Sequence, residues 1–313
     1  MADLSIIIVT RNTCALTRAA VRSVMESKDA LTKEIVVVDN GSSDGTPAML
    51  SGEFPAVKCL RQENNLGFAR ANNFGAGAAT GEFLLLLNSD ARLQPDTLAP
   101  VVDWMRRHPE CGVAGVQLIN PDGSRQNSIA NFPSLATELL NKSLLRRLFP
   151  KRFPGKEHSF PEPLEVESVV GACMFIRSEA WKVLGGFDDR YFFFFEETDF
   201  CLRARRRGWK VFHLPQARVW HEQGTSVKQL SAAARIEYWR SRYAYFQKNH
   251  GRITRAVLVM GLGLRLIAGW LANLLAVLLS LGTRAGLRDK CRAQTALLKW
   301  HLQGRPAAMG LPR

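Results

Sequence analysis

Five apolar residues, Phe83 to Leu87, run without a break into Asn88-Ser89-Asp90. A run of that length has no solvated face, so it predicts a strand buried on both sides, as in a parallel sheet. The polar tripeptide then falls at the strand's carboxyl end, where open α/β sheets bind ligands. A carboxylate there is a hard oxygen ligand, suited to Mg²⁺ or Mn²⁺ held jointly with substrate phosphates. Asn, Ser and Asp also favour plain turns, and this stretch by itself allows either reading.

Neighbouring segments repeat the pattern. Residues 4–9 form an apolar run ending at Thr10-Arg11-Asn12, and Glu34 to Val38 form a second, ending at Asp39. Val57 to Leu60 is a weaker third. Between them, residues 13–27 carry Leu16, Ala20 and Val24 at helical spacing, and 47–52 read as a short helix with Thr46 near its cap. Residues 66–79 read as a loop feeding a helix. Strands and helices alternating in this way predict a doubly wound, parallel sheet with right-handed crossovers. Thr10, Asp39 and Asn88 to Asp90 then share one edge. A hydroxyl, a carboxylate and a metal-binding group there suit a phosphorylated, hydroxyl-rich ligand, with neither a Walker loop nor a GxGxxG fingerprint present.

Residues 5–12, 37–46, 65–75 and 86–90, which include Val38-Asp39-Asn40-Gly41, Asn65-Leu66-Gly67 and Leu87-Asn88-Ser89-Asp90, resemble the successive motifs of family 2 inverting glycosyltransferases. The resemblance extends over roughly residues 4–225. It implies an α/β, GT-A (Rossmann-like) fold: a mostly parallel sheet flanked by helices. The catalytic domain would be 1–227, with residues 1–100 holding the nucleotide sugar and 101–227 the acceptor and base. The implied donor contacts are Thr10, Asn12, Asp39, Asn65, Gly67, Arg70, Asn73, Asn88 and Asp90. The implied cofactor is Mg²⁺ or Mn²⁺ on Asp90.

The second half fits the same scheme. Residues 101–108 predict a helix, 111–119 a strand, Pro121-Asp122-Gly123 a turn, and 135–149 one amphipathic helix. Residues 150–163 read as a mobile loop; by pattern the helix and loop are surface features, and by resemblance they face the acceptor. Residues 169–176 predict one buried strand, followed by a helix at 177–181. Tyr191 and four phenylalanines then lead into Glu196 and Glu197. An apolar wall and a neighbouring carboxylate both disfavour the charged form, which raises a carboxyl pKa toward the range a general base needs. In the family the motif is Glu-Asp and its second acid is the base, which implies Glu197 as base and Glu196 as its neighbour. Glu replaces the usual Asp, one methylene longer, so the choice between the two stays open. Both acids also suit the N-terminus of a helix starting near Thr198. Arg203, Arg205, Arg206 and Arg207 form either a solvated basic face or a phosphate contact. Residues 219–226 resemble the family's His motif, implying His221 as a ligand of the metal, whereas His213 reads as structural.

The charge of +14 is concentrated at one end. Residues 228–313 hold fifteen Lys or Arg and two acids, while the rest is nearly balanced. Residues 256–282 contain a single charge, Arg265, and the uncharged run 266–282 is near the lower limit for crossing a bilayer. Arg252 and Arg255 precede the run, and Arg284, Arg288, Lys290 and Arg292 follow it. Same-sign flanks give no positive-inside signal. They predict a helical, basic and apolar membrane-associating tail on an anionic surface: interfacial helices, or a re-entrant pair broken near Gly261 to Arg265. An amphipathic helix packed on the catalytic domain is the alternative. The long apolar run argues against nucleic acid as partner, since phosphate binders expose their charges. Six scattered cysteines without a CxxC pair argue against zinc or disulfides and fit a reducing compartment. The N-terminus has no basic segment of a signal peptide. Together these predict a peripheral or monotopic protein on the cytoplasmic face of the inner or plasma membrane.

The function expected is inverting transfer of a sugar from a nucleotide-diphosphate sugar to a glycan or polyprenyl-diphosphate-linked acceptor in cell-surface polysaccharide synthesis. Likeness to rhamnosyltransferase-like members suggests dTDP-rhamnose as donor. Rival expectations are a non-catalytic family member that scaffolds a glycan-assembly complex, and a basic nucleic-acid-binding protein.

Overall fold

A computed structural model describes residues 2–150, 152–153, 160–222 and 231–313. Part of the 150–163 loop, the stretch from Gln223 to Ser226 of the His motif, and the first residues of the 228–313 tail lie outside the described residues.

The chain alternates strands and helices through its first hundred residues: β1 (Leu4–Thr10), α1 (Cys14–Met25), β2 (Lys33–Asp39), α2 (Thr46–Glu53), β3 (Lys58–Arg61), α3 (Gly67–Ala76), β4 (Phe83–Asn88), β5 (Ala91–Leu93) and α4 (Leu98–Arg107). It continues through β6 (Cys111–Ile119), β7 (Ile129–Ala130), α5 (Leu135–Leu139), α6 (Lys142–Leu148), β8 (Leu164–Glu165) and β9 (Ser168–Val169). Then follow β10 (Cys173–Arg177), α7 (Ser178–Leu184), α8 (Glu196–Arg206) and β11 (Lys210–His221). Three helices close the described chain: α9 (Ser231–Asn249), α10 (Gly251–Leu279) and α11 (Ala285–Leu302).

The sheet runs β3-β2-β1-β4-β10-β6-β11-β5, with β8 also on β11. β1 is parallel to β2 and β4, β2 to β3, and β6 to β11, as the apolar runs imply. β10 is antiparallel to both neighbours, so the sheet is mostly rather than wholly parallel. Strand alternation divides the core between two faces. Ile6, Ile8, Leu85 and Leu87 face α1, α2 and α4; Ile7, Leu84 and Leu86 face the other layer. That second layer includes Phe200 of α8 together with Tyr245, Phe246, Leu258 and Trp300 of the C-terminal helices. The tail therefore covers one face of the sheet.

Four local expectations are corrected. The 169–176 run is split, because residues 170–172 bend between β9 and β10. Where a loop feeding a helix was expected, α3 begins at Gly67, whose φ of +78° and lack of a Cβ let Phe192 approach; a Cβ would lie 2.4 Å from the Phe192 carbonyl oxygen. The 135–149 helix is two, because Leu140 is extended and Asn141 caps α6 by accepting from the amides of Ser143 and Leu144. The break expected near Gly261 is absent, and α10 is one helix of 29 residues. Gly261 serves close packing instead: a Cβ there would sit 2.8 Å from Leu139 of α5.

On α10, Leu258, Leu262 and Leu266 are buried at one-turn spacing. Met260, Leu264, Leu271, Leu275 and Leu278 are more than half exposed on the remaining surface. The helix is long and apolar enough to cross a membrane, by length and composition.

Candidate active site

The strand register fixes the first part of the site. Thr10 lies opposite Asp39, and Asn88 opposite Val9, at the carboxyl edge of β2-β1-β4. The short strand β5 then turns back to pair with the end of β11, setting Ala91 opposite His221. The amide of Glu222 donates to the Asp90 carbonyl at 2.9 Å. Residues from the two halves of the catalytic fold thus meet: His221 Nε2 is 3.4 Å from Asp90 Oδ1.

Several polar atoms on this edge lack an internal partner. Asp39 accepts from the Ser42 amide through Oδ1, while its buried Oδ2 has no hydrogen-bond partner. Asn88 Oδ1 and Arg11 Nε are likewise buried and unpartnered. An orphaned buried acceptor costs about 1–3 kcal/mol, so these atoms are held where a ligand can satisfy them.

The acids arrive on α8. Before them, Phe194 and Phe195 both have φ of +72°, a left-handed conformation that bulky residues rarely adopt. Such strain costs about 1–3 kcal/mol per residue and persists only where the surroundings hold it. Here Tyr238 of α9 packs against both rings, at 5.4 and 5.2 Å, and Ser241 Oγ donates to the Phe193 carbonyl at 2.8 Å. The turn brings Glu197 against Gly171, where a Cβ would stand 3.4 Å from Glu197 Cβ. The next residue, Ala172, accepts from the Asn88 amide at 3.0 Å. The antiparallel entry of β10 thus places residues 171–172 between Glu197 and the Asn88 strand end.

Glu196 is 4% exposed, and its Oε2 has no partner. Burial, and next the charge of Glu197, hold its pKa well above the usual carboxylate range. Glu197 keeps part of its surface open. Burial raises its pKa too, against backbone amides at the helix start that favour the charged form. The helix begins at Glu196 rather than near Thr198, and both acids stand in its first turn without capping it by a side-chain hydrogen bond.

The other expected residues divide into groups. Thr10 is buried, its hydroxyl engaged with those of Thr13 and Thr17 at 2.9 and 2.6 Å. Asn12 ties the first loop to the second, accepting from the Ser43 amide at 2.7 Å. Asn65 accepts from Asn40 and from the Gly67 amide, and donates to the Pro312 carbonyl. Arg70 and Asn73 both reach Asp189, and Asn73 also exchanges hydrogen bonds with the Phe187 backbone. The Asn73 amide is thereby committed to the turn before the aromatic segment.

The arginines divide between the expected reading and another. Arg203 bonds Asp199 and the carbonyls of Leu184 and Gly186, and Arg205 bonds the Val166 carbonyl and pairs with Glu165, so these two clamp loops. Arg206 and Arg207 are exposed, as on a solvated basic face, with Arg206 donating to Asn249 at the end of α9. His213 is buried, with its pKa pushed down to about 4 by burial, in keeping with a structural role. Sequence reasoning missed Gln126, Gly171 and Arg11. Gln126 accepts from His221 Nδ1 at 2.8 Å and donates to the His221 carbonyl at 2.6 Å.

The donor set was tested against a divalent metal. Asp90 Oδ1 and His221 Nε2 converge, and one carboxylate oxygen with one imidazole nitrogen suits Mn²⁺ or Mg²⁺. No group of three His, Cys, Asp or Glu able to hold a metal occurs among the described residues. The pair fits a metal whose other positions are filled by substrate phosphates and water.

The glycosyl transferase family 2 model matches residues 5–185, more than half of the chain. The chain belongs to that family. It is 29% identical over 239 residues, 72% of its length and 78% of the relative's, to the N-acetylglucosaminyl-diphospho-decaprenol L-rhamnosyltransferase of Mycobacterium tuberculosis. It is 24% identical to the low-salt glycan biosynthesis hexosyltransferase Agl10 of Haloferax volcanii, over 76% of this chain and 75% of that one. Among solved structures, the mannosyltransferase PcManGT of Pyrobaculum calidifontis in complex with GDP-Man and Mn²⁺ superposes with a TM-score of 0.55 at 18% identity, covering 96% of this chain and 86% of that one. The fold is GT-A, and the family 2 member described here is a glycosyltransferase.

Proposed function

We propose that this family 2 enzyme transfers a sugar, with inversion, from a nucleotide-diphosphate sugar to a hydroxyl of a lipid-diphosphate-linked or glycan acceptor in surface polysaccharide synthesis. The observation that carries the reading is the meeting of Asp90, His221, Asn88 and Asp39 on one sheet edge, with Glu197 across residues 171–172. The relative named for rhamnosyl transfer to a decaprenyl-diphosphate sugar makes dTDP-rhamnose the first donor to test and a polyprenyl-diphosphate sugar the first acceptor.

Glu197 takes the proton of the acceptor hydroxyl as its oxygen attacks the anomeric carbon. The bond from that carbon to the nucleotide diphosphate breaks on the opposite face. One base and no covalent intermediate give inversion. Asp90 and His221 would hold the divalent metal, which when bound neutralises the charge growing on the leaving diphosphate. Asn88 Oδ1 accepts from the ribose or from a bound water. Asp39 Oδ2, buried and unpartnered, is the acceptor offered to the nucleoside. Arg70 and Asn73 shape the aromatic turn rather than touch the donor.

A donor screen tests this reading. With Mn²⁺ present, one of the dTDP-, UDP- or GDP-sugars is expected to raise the Tm, and the shift should vanish with EDTA. No metal-dependent shift and no turnover with any of them would favour a scaffolding protein.

The exposed leucines of α10, beside basic flanks, support contact with an anionic membrane surface, on the cytoplasmic face where nucleotide sugars are made. Each buried leucine is worth about 1.5–3 kcal/mol. Leu264→Glu combined with Leu271→Glu should therefore weaken sedimentation with phosphatidylglycerol vesicles by at least about tenfold. Equal binding of the double variant would remove α10 from the membrane contact.

A further inference from the structure

We propose that Gln126 is a positioning residue that fixes the tautomer of His221 and so turns its Nε2 lone pair toward Asp90. The inference rests on the metal role proposed for that pair.

Gln126 is 6% exposed. Its Nε2 donates to the His221 carbonyl at 2.6 Å and to Asn120 Oδ1 at 2.8 Å. Those two acceptors use both amide hydrogens, which decides which end of the amide is oxygen. The oxygen, Oε1, then faces His221 Nδ1 at 2.8 Å. A carbonyl oxygen only accepts, so Nδ1 must carry the hydrogen. In the neutral ring Nε2 is left with its lone pair, 3.4 Å from Asp90 Oδ1. Two lone pairs facing each other at that distance repel, and a metal ion, or a proton on Nε2, relieves the repulsion. Gln126 therefore prepares the pair for a cation in the way that an outer hydrogen bond orients a metal-ligating histidine.

The side chain is well anchored for the task. The Gln126 amide donates to the Leu118 carbonyl at 2.8 Å, and its own carbonyl accepts from Gln117 Nε2 at 3.0 Å. Asn120 is held in turn, with its amide donating to the Ser124 carbonyl at 2.8 Å and its side chain to Ser124 Oγ at 2.8 Å. The turn at Pro121-Asp122-Gly123, with Gly123 at φ +80°, folds the chain back after β6. That turn delivers Gln126 to the end of β11.

The test uses the full chain. In the metal-free protein, ¹⁵N NMR of the histidine rings is expected to show His221 with hydrogen on Nδ1, and Gln126→Leu to lose that preference. By electron paramagnetic resonance, Gln126→Leu should weaken Mn²⁺ binding about 10–100-fold, while Gln126→Glu, which keeps an acceptor on Nδ1, should retain most of it. Adding Gln126→Leu to His221→Ala should weaken Mn²⁺ binding no further, whereas loss of a merely structural residue would weaken it again. If Gln126→Leu fails to fold, the wild-type tautomer and Gln126→Glu still decide. A wild-type ring with hydrogen on Nε2, or a folded Gln126→Leu protein with unchanged Mn²⁺ affinity, overturns the proposal. Absence of Mn²⁺ binding by the wild type would overturn the metal reading instead, with the NMR result still judging Gln126.

Discussion

Glu197→Gln is expected to lower the rate of sugar transfer about 10²–10⁴-fold, the usual contribution of a general base, with donor binding little changed. The amide has the shape of the carboxyl but cannot take the proton. Glu196→Gln is expected to stay active. Glu196 is buried, its Oε2 has no partner, and burial and its neighbour's charge hold its pKa well above the usual carboxylate range. Burial thus favours its protonated form, which an amide imitates. The pH profile carries the same distinction. Burial raises the Glu197 pKa, so kcat/KM should fall as pH drops through a value above the ordinary carboxylate range. Glu196→Gln should keep that acid limb, because the limb belongs to Glu197. A folded form that prefers protonated Glu196 also loses stability as pH rises toward the raised pKa, so Glu196→Gln should melt higher than wild type on the alkaline side. An inactive Glu196→Gln enzyme, with Glu197→Gln still turning over, would exchange the two roles.

Asp90→Asn is expected to abolish metal-dependent transfer, with a loss of about 10³-fold or more. The estimate follows from several kcal/mol of charge stabilisation at the leaving group, at 1.36 kcal/mol for each tenfold in rate. An amide oxygen is a poorer ligand than a carboxylate oxygen, and among the described residues Asp90 and His221 are the pair that converges here. Asn88→Asp should be tolerated, because Asn88 offers an acceptor oxygen that a carboxylate also supplies. Rates measured with and without added Mn²⁺ separate the two variants. An inactive Asn88→Asp protein alongside an active Asp90→Asn protein would reverse this division of labour.

The strands of the first half were legible because burial on both faces leaves one signature, an unbroken apolar run. Ile6 to Val9, Val36 to Val38 and Leu84 to Leu87 all carry it. Their polar ends, Asp39 and Asn88 to Asp90, followed directly. Gln126 left no such mark, since a glutamine after a turn looks like any surface residue until β11 has arrived beside it. Gly261 was misread because a glycine needed for close approach and one needed for bending look alike in sequence. Asn73 and Arg203 sit within family-like or basic segments, yet their partners include the carbonyls of Phe187, Leu184 and Gly186, which only the tertiary fold presents. The antiparallel β10 was likewise invisible, since an apolar run does not state its direction.

The short pairing of β5 with the end of β11 has a thermodynamic consequence. His221 and Gln126 are 95 residues apart, and Asp90 is more distant still in sequence from His221. Contacts of such long range carry a large loop-closure cost and are slow to form. A cation or donor that needs Asp90 and His221 together can bind only the chain in which the sheet has closed through β11. Such a ligand shifts the folding equilibrium by mass action, by an amount that grows with its concentration over its Kd. Were metal and sugar nucleotide to bind there, their supply would act on how much of the protein is folded as well as on turnover.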